Sequence, residues 1–138
     1  MQTLISLNTS GLLLIKERKL LLAYSKNKKC FYLPGGKVDS EETSITALVR
    51  EIKEELNISI TETDLHFYTH ISAQAYGEKE GIIMEQDCFL LLKNVTPIAS
   101  AEIGEIRFFS LQEYLQQPTT APGAVAIMQK LKEDHKID

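Results

Sequence analysis

The sequence predicts an α/β fold, an α/β/α sandwich in which a mixed β-sheet is covered by helices on both faces. Three observations predict it. Strand-like stretches lie on both sides of a central amphipathic helix, a second helix follows near the C-terminal end, and neither a G-x-G-x-x-G run nor a P-loop is present. The 138 residues read as one domain, 1–138, with no internal repeat or linker.

The chain opens with short β segments at 4–7 and 11–16. Lys16-Glu17-Arg18-Lys19 makes a charged turn, and Leu20 to Tyr24 returns as a second strand, giving a hairpin. Ser25 to Lys29 is a polar, lysine-rich loop. Phe31 to Leu33 is short and extended, because Pro34 keeps Leu33 out of the α region. Gly35 and Gly36 then open backbone angles closed to other residues.

The central helix is expected to start at Asp39 or Ser40 and to run to about Leu56. Asp39 with Glu42, and less strongly Ser40 with Thr43, have the spacing of a capping box. Ile45, Leu48, Val49, Ile52 and Leu56 fall on one apolar arc at 100° per residue. Asn57 suits the left-handed position past the helix end. Ile58 to Ile60 is a candidate short strand.

Residues 65–76 alternate, with Leu65, Phe67, Thr69, Ile71, Ala73 and Ala75 on one side. A turn at 77–81 leads into an apolar strand at 82–92, so the pair forms a second hairpin. A loop over 94–101 precedes a strand at 105–109. Ser110 with Glu113 caps a short helix to about Gln116, which Pro118 ends. Pro122 opens a last helix to about Glu133, with Val125, Met128 and Leu131 as its inner face.

Net charge is −4, which argues against a nucleic-acid-binding face. No segment reaches the length of a membrane span, and the first residues lack a basic leader, so a cytoplasmic location with no membrane partner is expected. Cys30 and Cys88 sit in apolar surroundings and read as buried thiols. The chain is expected to act as a monomer or a homodimer.

Beside the apolar arc of the central helix lies a second arc of Glu51, Glu54 and Glu55. Carboxylates at i, i+3 and i+4 repel one another. A solvated acidic face is the plain reading of REIKEEL alone. A face awaiting a divalent cation is the other.

Further residues decide between these two. Gly36, Glu42, Arg50, Glu51, Ile52, Glu54, Glu55 and Ile58 match the Nudix hydrolase signature, G-x5-E-x7-R-E-U-x-E-E-x-G-U with U a bulky aliphatic. Asn57 replaces the final glycine. The run Phe31 to Lys37, FYLPGGK, resembles the family's approach to that motif. Glu105 to Leu111 resembles its last strand and the helix after it.

The resemblance implies a Nudix fold and Mg²⁺- or Mn²⁺-dependent hydrolysis of a nucleoside diphosphate linked to another group. In the MutT-like branch the small-molecule substrate is a nucleoside triphosphate, such as oxidised dGTP or CTP. By resemblance the Gly35 carbonyl, Glu54 and Glu55 are metal ligands, Glu51 is a ligand or the base, and Arg50 orients a glutamate. Glu42 anchors the loop to the helix and Gly36 is structural in the motif. Lys37 would contact phosphate. Glu102, in the loop before the last strand, is the candidate further acid, with Glu105 second. Some triphosphate-cleaving members carry arginine after the second strand, where this chain has Tyr24 and Ser25.

The motif supplies chemistry rather than specificity. Specificity is expected from the N-terminal hairpin, from Phe31 and from the 65–92 hairpin, where Tyr76 lies. Core or edge packing is the commoner fate of Phe31, Tyr32 and Tyr76. His66 and His70 read as surface residues.

Overall fold

Successive side chains of a strand point to opposite faces, and the leucines of the N-terminal region use both. The computed structural model describes residues 5–138. At the end of β1 (Ile5–Leu13), Leu12 and Leu14 enter one core and Leu13 the other. In β3 (Lys19–Ser25), Leu21 enters the first core and Leu20 and Leu22 the second. A strand hydrophobic on both sides must be covered on both sides, so the sheets end up between helices.

Two sheets form the middle layer. In one, the order is β5 (Gly35–Lys37), β1, β7 (Ile82–Leu91), β6 (Leu65–Gln74); β1 and β7 are parallel and the outer strands antiparallel to their neighbours. In the other, β3 pairs antiparallel with β2 (Ile15–Lys16), β4 (Cys30–Tyr32) and β8 (Ile103–Phe109). Helix α1 (Ser44–Leu56) buries Leu48, Ile52 and Leu56 against Leu12, Leu14 and Leu21. Helices α2 (Leu111–Leu115) and α3 (Pro122–Glu133) cover the opposite face with Tyr114, Ile127, Met128 and Leu131.

Several expectations hold at the level of single residues. Asn57 ends α1 at φ 55°, ψ 39°. Ser110 and Glu113 form the capping box of α2. Pro122 is the first residue of α3. Glu17 and Arg18 both have positive φ, 49° and 63°, the mirror-image turn that suits the twist of two paired strands. Both cysteines are buried thiols.

Other boundaries shift, each for a physical reason. The two expected segments at 4–7 and 11–16 become one nine-residue strand followed by β2, because Asn8, Thr9 and Ser10 continue the ladder opposite Glu85, Gln86 and Asp87. Residue 4 lies outside the described residues. Helix α1 starts at Ser44 rather than at Asp39 or Ser40. Thr43 and Thr46 make the capping box, while the Asp39 N–H donates to Glu42 Oε1 at 3.1 Å within a turn ahead of the helix. Ile58 and Ile60 are buried without forming a strand. On α3, Ala124 and Ile127 join Met128 and Leu131 inside, and Val125 only packs at the edge.

The alternation expected for 65–76 breaks at a bulge between Phe67 and Thr69. One extra residue flips which face each side chain takes. Leu65 therefore joins the core under α1 and Ile71 the core under α3, while Phe67 is left 59% exposed. Among the described residues no helix is long and apolar enough to cross a membrane.

Candidate active site

The glycine pair sets the site because side chains there would meet backbone at Gly35 and the Glu51 carboxylate at Gly36. Gly35 has φ 137°, and a Cβ on it would lie 2.0 Å from the Ser10 carbonyl oxygen across the β1–β5 pairing. A Cβ on Gly36 would lie 2.7 Å from the Glu51 carboxylate carbon. The bare turn thus brings backbone against α1, and the Gly35 N–H donates to Glu55 Oε1 at 2.9 Å.

Glu55 is only 8% exposed. Burial is the main cause that pushes its carboxyl up to about 8; the Gly35 N–H opposes this, and Glu51, Glu102 and Glu54 add to it. Glu51 is also raised, by burial first, against the pull of Arg50.

Arg50 gathers the surrounding acids. Its guanidinium donates to Glu42 through two nitrogens at 2.8 Å each, and to Glu51 Oε1 at 2.7 Å. Its Nη2 also reaches the Lys37 carbonyl at 3.3 Å. This fork holds the Glu42 carboxyl down at about 2. Glu42 thus lies on the turn ahead of α1, and Arg50 lies between Glu42 and Glu51.

Glu51 and Glu55 open onto a cleft of about 450 Å³. Gly35, Gly36, Lys37, Glu51, Glu55, Tyr76 and Glu102 all line it. Glu54 is more exposed and lies within 3.7 Å of Arg50 Nη1, outside the cleft lining. Glu102 accepts from Asn27 Nδ2 at 2.7 Å. Glu105 instead pairs with Arg107 at 2.7 Å and does not line the cleft.

Phe31 does not reach the cleft. It is buried in the core, edge-on to Tyr24 and Phe109 at 5.1 and 5.0 Å, and its neighbour Tyr32 lines the cleft in its place. The half-turn of strand phase between positions 31 and 32 separates core from cleft. Asn27, Thr9 and Gln86 were not singled out from the sequence. For Gln86 a signal existed: it shares a strand face with Met84, Cys88 and Leu90, a polar residue in an otherwise apolar row.

Hard oxygen donors are the type that Mg²⁺ and Mn²⁺ take. Glu51, Glu54, Glu55 and the Gly35 carbonyl form such a set. Among the described residues no three acidic, histidine or cysteine side chains already converge as a ligand group. Glu51 is turned toward Arg50 and Glu55 toward the Gly35 N–H. The residues nonetheless fit a divalent cation, because Glu55 is a dry carboxylate whose charge three neighbouring carboxylates disfavour, and a cation would relieve it.

A family model described as NUDIX domain matches residues 3–131. An ADP-ribose pyrophosphatase of Methanocaldococcus jannaschii is 52% identical over 46 residues, 31% of this chain and 27% of the relative, so the match spans about a quarter of that protein's length. The fold superposes on the MutT protein of Methanosarcina mazei Go1 with a TM-score of 0.76 at 19% identity, covering 99% of each chain. It superposes on a MutT NUDIX hydrolase of Burkholderia pseudomallei with a TM-score of 0.71 at 22% identity, covering 91% of this chain and 96% of the other. The chain belongs to the Nudix hydrolase family.

Proposed function

We propose that this Nudix hydrolase cleaves a nucleoside triphosphate, of the oxidised dGTP or CTP kind, to the nucleoside monophosphate and pyrophosphate with Mg²⁺ or Mn²⁺. The observation that carries the reading is Glu55, a buried carboxylate bonded to the Gly35 N–H, which lines with Glu51 and Lys37 a cleft of about 450 Å³. Glu51, Glu54, Glu55 and the Gly35 carbonyl would hold the cation. When bound there, it supplies charge neutralisation for phosphate oxygens and a more acidic water.

The chain's own residues divide the remaining work. Arg50 holds Glu51 in place through a 2.7 Å bond and is itself fixed by Glu42. Lys37 lines the cleft beside the glutamates and can pair with a phosphate. Glu102, which accepts from Asn27 and lines the same cleft, is our candidate to accept a proton from the attacking water. Glu51 is the other candidate for that role.

A second reading is hydrolysis of a nucleotide sugar or a dinucleoside polyphosphate; the likeness to an ADP-ribose pyrophosphatase supports the first of these. Products are separated by anion-exchange chromatography across a panel of nucleoside triphosphates, ADP-ribose and dinucleoside polyphosphates, with Mg²⁺ and with EDTA: a monophosphate with pyrophosphate marks a triphosphate, AMP with ribose 5-phosphate marks ADP-ribose, and two mononucleotides mark a dinucleoside polyphosphate. Turnover of a triphosphate that EDTA abolishes is expected. Turnover confined to ADP-ribose or a dinucleotide would select the second reading. Tight binding with no turnover would make the chain a ligand sensor.

A further inference from the structure

We infer that Gln86 reads the hydrogen-bonding edge of a nucleobase, and so sets base specificity in the cleft. The inference rests on the nucleotide reading of that cleft. Gln86 sits in the middle of β7 and is 6% exposed, yet it lines the cleft. Its Oε1 accepts only from the Cys88 thiol, at 3.9 Å, and its Nε2 has no partner among the described residues.

A buried amide without partners is costly, and natural cores rarely keep one. This one is not sealed in. Ser10 Oγ is the only fully enclosed side-chain polar atom without a partner among the described residues, so the Gln86 nitrogen opens to the cleft. Gly11 makes room for it, since a Cβ there would stand 3.1 Å from the Gln86 amide.

The register gives the distance. Thr9 is paired with Gln86 on one side and Lys37 on the other, so the three lie in a row across β7, β1 and β5. All three line the cleft. Two strand spacings, about 10 Å, separate the backbone of Gln86 from that of Lys37, which is the order of the separation between a nucleotide's phosphate and its base. A carboxamide offers one donor and one acceptor side by side, and pairs with any base edge that presents the complement.

The test is calorimetric binding of AMP, GMP, CMP and UMP, with ribose 5-phosphate as the baseless probe, in Mg²⁺. Wild type is expected to bind at least one monophosphate more tightly than ribose 5-phosphate. Gln86→Leu should weaken that monophosphate about 10- to 100-fold, the scale of one bidentate base contact, and leave ribose 5-phosphate unchanged. The variant should melt no lower than wild type, because it removes an unpartnered amide. A nucleotide carrying an apolar base isostere should bind wild type no better than ribose 5-phosphate.

Equal binding of the natural and apolar-base nucleotides, or an unaffected variant, would overturn the inference. The outcomes separate from those of the proposed reaction. A chain that turns over no nucleotide yet binds a base through Gln86 would keep this inference and lose the catalytic one. A chain that turns nucleotides over with no loss of base binding in Gln86→Leu would do the reverse.

Discussion

A carboxylate as dry as Glu55 is a poor anion until something positive joins it. Its raised pKa gives a sign that can be checked. Between the ordinary carboxylate range and about 8, the folded chain holds a proton at Glu55 that the unfolded chain releases. Metal-free stability therefore falls as pH rises through that window. Melting in EDTA from pH 5 to 8 should show wild type losing ground to Glu55→Gln, and parallel curves would contradict the assignment. With Mg²⁺ the same variant should lose activity by roughly 100-fold or more, the scale of removing one catalytic electrostatic partner. Gly36→Ala makes a second test. Its new Cβ falls 2.7 Å from the Glu51 carboxylate carbon and must displace that side chain from Arg50. Turnover is expected to drop at least about 10-fold, as for other losses of supporting contacts, while the melting temperature moves little. Wild-type turnover would show that Glu51 is not needed where it stands.

Among the elements, the second hairpin and the pair α2–α3 each depend on one polar contact set. His70 on β6 bonds Asp87 through Nδ1 and Glu85 through Nε2, both at 2.7 Å on β7. Those two carboxylates raise its pKa. The stability this adds is fully present below the unfolded histidine pKa and is lost as pH rises through the higher folded value. The melting difference between wild type and His70→Gln should therefore shrink from pH 5.5 toward 9, a range set about the ordinary histidine value, and a constant difference would contradict it. Tyr114 is fully buried, donates to the Phe31 carbonyl at 2.5 Å and accepts from the Ala121 N–H at 2.8 Å. Tyr114→Phe leaves the Ala121 N–H dry and unpaired and the Phe31 carbonyl with only the Cys30 thiol, at about 1–3 kcal/mol in urea unfolding. The elements differ in how far they could be read ahead. Asn57, Ser110 with Glu113, and Pro122 were legible because each acts through its own backbone. The start of α1 was not, because Asp39–Glu42 and Thr43–Thr46 offer rival caps and Arg50, eight residues on, takes the Glu42 carboxylate. The bulge after Phe67 left no mark on the alternation; it is fixed by pairing with β7. In the cleft, the motif located the glutamates, but the choice of Tyr32 over Phe31 and the role of Gln86 depend on which face each strand turns inward.

For the molecule as a whole, cation binding and folding should be coupled, since a ligand of the folded state stabilises it by mass action. Mg²⁺ at 100 times its dissociation constant should add about 2.7 kcal/mol, visible as a rise in melting temperature that EDTA reverses and that Glu55→Gln lacks. No such rise at saturating Mg²⁺ would count against the site. The parallel pairing of β1 with β7 has a consequence in time. Each of its nine residue pairs, from Ile5 with Ile82 to Leu13 with Leu90, joins positions 77 apart in the chain. At about 5–20 residues per second of synthesis, β1 leaves the ribosome roughly 4–15 s before its partner exists. Loop closure over that span is slow. The nascent chain therefore carries a leucine-rich strand with an unmatched edge through most of its own synthesis.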